Sequence, residues 1–106
     1  MDNIILIGMP GSGKSTVGVL LAKAVGYGFV DSDLVVQARE GRLLSRIIAE
    51  EGVENFLRIE EKINSELCTD RCVIATGGSV IYGPKAMAHL KAIGRIVYLK
   101  LSYPEL

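Results

Sequence analysis

The chain has no net charge: its 106 residues hold twelve Lys and Arg against twelve Asp and Glu. No block of like charge stands out either, so neither a basic nucleic-acid surface nor a charged interaction tail is expected. Long apolar runs are also missing. The first, Asn3-Ile4-Ile5-Leu6-Ile7, is too short for a membrane span or for the core of a signal peptide. Cysteine is scarce, and Cys68 and Cys72 alone lack the partner ligands of a zinc site. The one histidine, His89, falls on a helix flank without a partner in sequence and is expected at the surface rather than as a base. What is plentiful is apolar side chain, at 49% of residues. That suffices for one domain with a real core, burying roughly two-thirds of its unfolded surface.

The chain is organised around Gly8-Met9-Pro10-Gly11-Ser12-Gly13-Lys14-Ser15-Thr16, which meets the phosphate-loop pattern G-x-x-x-x-G-K-[ST] at every fixed position. The apolar run before it reads as a buried strand, and the run from Val17 to Val25, stopped by Gly26, as a helix. Such a strand, loop and helix gather backbone N–H groups and a helix N-terminus around polyphosphate. Lys14 is expected to reach the terminal phosphates and the Ser15 hydroxyl to ligate Mg²⁺. In a chain that handles ATP a disulfide is not expected, so the two thiols are read as reduced and packed.

Phe29-Val30-Asp31-Ser32-Asp33 reads as a second strand that delivers two carboxylates at spacing two, on one side by alternation. Asp33 could cap the helix Leu34 to Glu40, which would leave the other carboxylate free. Beside a phosphate loop, this pair suits holding Mg²⁺ through water and taking a proton from an attacking hydroxyl. Gly41 ends that helix. Leu43, Leu44, Ile47 and Ile48 mark one side of the next, up to Gly52, and Val53 to Leu67 forms a longer one with Phe56, Ile59, Ile63 and Leu67 as its core stripe. Arg58 is placed to pair with Glu54 or Glu61, and the charges here are read as a solvated face. Cys72 to Ala75 is a third strand ending in Thr76-Gly77-Gly78-Ser79, where the glycines allow a ligand close to backbone. Pro84 opens a helix that stops at Gly94, and Arg95 to Leu101 is a fourth strand. Alternating strands and helices predict an α/β fold with a parallel sheet. Ser102-Tyr103-Pro104-Glu105 is a capping box that announces another helix, so the chain is expected to be the front part of a longer domain.

In this order the pieces resemble the shikimate kinases, within the nucleoside-monophosphate-kinase-like P-loop enzymes. The resemblance rests on the phosphate loop, Phe29 to Asp33, Gly41-Arg42, Glu51-Gly52, the Thr76-Gly77-Gly78 turn and the strand Ile96 to Leu101. It implies a three-layer P-loop NTPase-type parallel sheet with helices on both faces, whose C-terminal strand and lid lie beyond this chain. Residues 1–106 would be one incomplete kinase domain, with the phosphate loop at 8–16 and the acceptor region at about 31–79.

By the same resemblance, ATP would be held by Gly11, Ser12, Gly13, Lys14, Ser15 and Thr16, with Mg²⁺ on Ser15 and, through water, on Asp31. Lys14 and Asp33 would be catalytic, and Asp33, Gly77 and Gly78 would contact the acceptor. The γ-phosphoryl group of ATP would pass to a hydroxyl of shikimate, a step of aromatic amino-acid biosynthesis, in a monomeric cytoplasmic enzyme without nucleic-acid or membrane partners. Because the lid and further acceptor contacts lie downstream, the 106-residue chain alone is expected to show negligible turnover. Two departures fall in the acceptor region. Leu57 stands where the family carries a carboxylate-clamping Arg, leaving Glu60 without that partner, and Ser79 replaces the third glycine of a Gly-Gly-Gly turn. They leave open another alcohol acceptor, such as gluconate or a nucleoside monophosphate, and a non-catalytic nucleotide-binding module.

Overall fold

The computed structural model describes residues 2–8 and 13–99. The expectations that rest on Gly11 and Ser12, on the end of the fourth strand at Lys100 and Leu101, and on the capping box at 102–105 therefore lie outside the described residues.

Four strands form one parallel sheet in the order β2-β3-β1-β4, built from β1 (Asn3–Ile7), β2 (Gly28–Asp31), β3 (Cys72–Ala75) and β4 (Gly94–Tyr98). Alternation along the central strands divides the core. Ile5, Ile7 and Ile74 point to one face, where they pack with Val80, Ala86, Leu90 and Ile93. Leu6 and Val73 point to the other, where they meet Ala22, Val17 and Leu21. Helix α1 (Lys14–Val25) covers this second face and α4 (Pro84–Ile93) the first, which makes the three layers expected of a parallel sheet buried on both sides. Each fully buried Ile or Leu in these layers contributes roughly 2 kcal/mol of hydrophobic stabilisation.

Helix α2 (Ser32–Glu40) and helix α3 (Leu44–Ser65) form a second apolar cluster through Val36, Ile47, Phe56 and Ile63. Gly52 interrupts α3 with φ 84° and ψ 164°, a conformation that favours glycine, so the break expected there is a kink between two nearly continuous helical pieces. Arg42 braces this corner through Glu40, Glu50 and Glu51.

Several expectations are corrected by packing. Helix α2 starts at Ser32, so Asp33 lies in its first turn rather than on a strand, and the cap is Asp31, whose Oδ1 accepts from the N–H groups of Asp33 (3.0 Å) and Leu34 (3.4 Å). Leu43 and Ile48 are exposed, leaving Leu44 and Ile47 as the inward residues of that helical piece. Helix α3 ends at Ser65, although Leu67 remains buried beyond it. Gly94 is no mere stop but the first residue of β4, paired with Asn3. Cys68 is exposed rather than packed, and Cys72 is half-buried, its sulfur accepting from the Thr69 hydroxyl at 2.9 Å. His89 is half-buried too, with Nε2 2.6 Å from the Leu67 carbonyl oxygen. Arg58 makes neither of its expected ion pairs among the described residues.

No helix among the described residues is long and apolar enough to cross a membrane.

Candidate active site

Strands β1 and β3 lie side by side, yet the chain leaves their carboxyl ends toward opposite faces, into α1 and into the turn before α4. In an open α/β sheet that divergence opens a crevice where ligands bind. The sequence places the phosphate loop, Asp31 and the glycine turn at the carboxyl ends of β1, β2 and β3 respectively.

The described part of the phosphate loop begins and ends on its fixed positions. Gly13 caps α1 with φ 79° and ψ 22°, a left-handed conformation that a glycine adopts without strain, and it brings no side chain to satisfy the first turn. Lys14, the first residue of α1, is buried, and its ammonium donates to the Gly8 carbonyl at 3.0 Å, tying the start of the helix to the end of β1. Burial lowers its proton affinity, while the charge of Asp33 acts to raise it. Ser15 and Thr16 are exposed on the first turn.

Ser15 donates its hydroxyl to Asp31 Oδ2 at 3.1 Å. Each oxygen of Asp31 thus has a separate task, one capping α2 and the other orienting Ser15. With its proton directed at Asp31, the Ser15 oxygen keeps a lone pair for a hard cation, and this hydroxyl and carboxylate match the oxygen ligands that Mg²⁺ takes. No group of three or more His, Cys, Asp or Glu side chains among the described residues could hold a metal ion by itself. The pair therefore fits an ion that draws its other ligands from phosphate and water.

Asp33, Gly77 and Gly78 line a cleft of about 490 Å³, together with Phe56, Glu60 and Ser79. The exposed rings of Tyr82 and Tyr98 stand on the cleft wall as well. Burial, and then the charge of Asp31, raise the proton affinity of Asp33; Lys14 opposes them. Leu57, the fourth residue expected to face an acceptor, does not line this cleft. It packs against the apolar cluster between α2 and α3 and borders a smaller hollow of about 90 Å³.

Glu60 is the residue that the reading of a solvated face missed. It is 4% exposed and accepts the Ser79 hydroxyl on Oε1 at 2.7 Å. Burial raises its proton affinity, the Ser79 bond lowers it and Asp33 adds to the rise. A signal for its position was available, because Phe56, Glu60, Ile63 and Leu67 follow one another at spacings of four, three and four, on the buried stripe itself.

Gly77 sits between the two carboxylates. A Cβ there would stand 2.8 Å from Asp33 Oδ1 and 2.8 Å from Glu60 Oε2. Gly77→Ala is therefore expected to push both side chains aside and to destabilise the fold by about 2 kcal/mol, the usual scale of overpacking. A urea unfolding midpoint equal to that of the unmodified protein would contradict the close approach.

A model of the shikimate kinase family matches residues 10–106. A shikimate kinase from Thiobacillus denitrificans is 42% identical over 106 residues, which cover 99% of this chain and 58% of that protein. Among solved structures, a shikimate kinase from Acinetobacter baumannii in complex with shikimate superposes with a TM-score of 0.88 at 36% identity, over 96% of this chain and 57% of that one. The shikimate kinase of Aquifex aeolicus gives a TM-score of 0.82 at 35% identity, covering 95% of this chain and 61% of its own. The chain thus spans about three-fifths of the length of the relatives it matches. With a family model matched over nearly its whole length and the same sheet beneath it, the chain belongs to the shikimate kinase family.

Proposed function

We propose that the protein is an ATP-dependent kinase that transfers the γ-phosphoryl group to a hydroxyl of a small molecule, with shikimate the first candidate acceptor. Residues 1–106 belong on this reading to one kinase domain, with the donor loop at 8–16 and the acceptor region at about 31–79. One observation carries the reading: Lys14, the Ser15–Asp31 pair and the half-buried Asp33 come together beside a cleft at the carboxyl ends of the strands.

Residues Gly11 to Thr16 surround the phosphates. Lys14 contributes positive charge where negative charge spreads over the transferred group. Ser15 and Asp31 are the residues that would hold Mg²⁺, and the ion would supply neutralisation of phosphate charge. Asp33 accepts hydrogen bonds from the acceptor and takes the proton as the hydroxyl oxygen bonds to the γ-phosphorus; the bond to the bridging oxygen breaks and ADP leaves. Gly77 and Gly78 let backbone, rather than side chain, approach the acceptor, and the Gly78 N–H is available to it. Positioning and charge neutralisation do most of the work.

The test is to offer ATP·Mg²⁺ and a panel of hydroxylated acids, neutral polyols and nucleotides to the intact protein, and to follow ADP release. Acceptor-stimulated release supports the kinase reading, and stimulation by shikimate supports the first acceptor. ATP binding with no stimulation by any acceptor would leave a nucleotide-binding module instead. A second reading, a different alcohol in the same fold, is favoured by one observation: Leu57 brings an apolar side chain, packed against Phe56 and its neighbours, to the position expected to clamp a carboxylate.

A further inference from the structure

The segment between the glycine turn and α4 carries part of the cleft wall, for Ile81 and Tyr82 both line the cleft. Its centre is a single turn of 3₁₀ helix, Val80–Tyr82, in which the N–H groups of Tyr82 and Gly83 donate to the carbonyls of Ser79 and Val80, both at 3.1 Å. One such turn has weak hydrogen-bond geometry and holds little by itself. Its place is set by what ties its two ends. At the first end, the Ser79 hydroxyl donates to Glu60. At the second, the Lys85 N–H donates to Glu61 Oε2 at 2.9 Å. Gly83 caps α4 without a side chain and Pro84 has no N–H, so the N–H of Lys85 is the first donor that the helix leaves to be satisfied from outside. Glu61 satisfies it from another helix, and a carboxylate at that place also meets the partial positive charge of the α4 N-terminus. The approach is close: a Cβ on Gly83 would stand 3.1 Å from the same Oε2. Two successive residues of α3 thus hold the two ends of one segment of the wall.

We propose that Glu61 is a positioning residue of this cleft: by holding the Lys85 N–H it fixes the segment from Ser79 to Lys85 against α3 and so sets where Ile81 and Tyr82 stand on the wall. That the wall faces an acceptor rests on the kinase reading above. Glu61 does not line the cleft itself; it borders the small hollow, together with Ser79, Tyr82 and Gly83. Its effect on an acceptor therefore passes through the backbone of residues 80–84. Loss of the bond frees one end of the segment while Ser79 still holds the other. The wall then samples more positions, and an acceptor must order it on binding, which weakens binding and leaves the phosphoryl donor untouched.

The experiment uses the intact protein, with shikimate as the probe acceptor and ATP·Mg²⁺ as donor. Glu61→Ala is expected to raise the KM for shikimate by roughly fivefold, with kcat and the KM for ATP within about twofold of the unmodified protein. Glu61→Gln keeps a carbonyl oxygen at the same reach and is expected to bring that KM back to within about twofold. Native-state hydrogen exchange, read by NMR, gives a measure that needs no turnover. In Glu61→Ala, exchange should quicken roughly tenfold at the amides of Tyr82 and Gly83 as well as at Lys85. A residue that only capped α4 would leave Tyr82 and Gly83 as they were. Unchanged exchange at those two amides overturns the proposal. So does a KM that stays put while shikimate is turned over, a loss of kcat or of ATP affinity as large as the change in that KM, or Glu61→Gln behaving like Glu61→Ala. Should shikimate fail to stimulate ADP release by the unmodified protein, that acceptor is refuted separately and the exchange rates alone decide: faster exchange at Tyr82 and Gly83, reversed in Glu61→Gln, supports the role of Glu61, and any other pattern overturns it.

Discussion

Asp33→Asn is expected to lower kcat by about a thousandfold, within the range that a positioned general base supplies, while ATP affinity stays within about twofold, since the change lies outside the phosphate-loop contacts. The substitution preserves shape, so the geometry around Gly77 should survive. What it removes is the ability to take a proton and the charge that acts on Lys14. Asparagine still accepts a hydrogen bond through its carbonyl, so acceptor binding should weaken less than turnover does. Burial and then the neighbouring Asp31 raise the proton affinity of Asp33, which moves a carboxylate toward better acceptance of a proton, while the charge of Lys14 opposes that rise. Single-turnover measurements with saturating ATP would separate the effect on chemistry from any effect on nucleotide. A loss of ATP affinity of tenfold or more would assign Asp33 to the donor side and refute the role given to it.

Asn3→Ala is expected to destabilise the fold by about 3 kcal/mol, because it leaves several buried polar groups unpaired at once. The Asn3 amide donates to the carbonyls of Thr69 (2.7 Å) and Ile93 (2.9 Å), and its Oδ1 accepts from the N–H of Cys72 at 3.1 Å. One side chain, 2% exposed, thereby joins the start of β1 to the turn before β3 and to the end of α4. Nothing in alanine can replace those bonds, and water has little access to them. Asn3→Asp should be no rescue, since a carboxylate would face two carbonyl oxygens. Urea unfolding followed by far-UV circular dichroism measures the change. Asn3 stands at the amino end of β1, whereas the phosphate loop leaves its carboxyl end. Below the unfolding transition, activity per folded molecule should therefore be unaffected. A midpoint shift equivalent to less than 1 kcal/mol would mean that the three partners find water or each other, on the usual scale of one net hydrogen bond.

The parts of this protein set by short-range chemistry were legible in its residues. The phosphate-loop spacing, the apolar β-branched strands, the glycine stops at 26 and 41 and the proline at 84 each act through a few neighbouring bonds, and the elements they announce are present within a few residues. The order of strands and helices was enough for a parallel sheet with both faces covered, because parallel strands need crossovers and crossovers cover faces. Assignments that depend on which of two similar residues wins a contact were less secure. Asp31 took the cap expected of Asp33 because the helix began two residues early, and Leu43 and Ile48 stayed outside while Leu44 and Ile47 went in.

Tertiary structure alone decided the cleft beside Gly77. Glu60 and Ser79 are nineteen positions apart and meet only because α3 packs beside the turn after β3. Asp33 and Glu60 converge on Gly77 because α2 and α3 pack beside that turn, and burial raises the proton affinity of both; the helical spacing signalled the burial of Glu60 but not its approach to Asp33. By itself the sequence announced the phosphate-loop motif, a pattern carried by consecutive backbone groups and two adjacent side chains. The cleft proposed for an acceptor is assembled from α2, α3 and the turn after β3, residues far apart in sequence that meet only when those elements pack together.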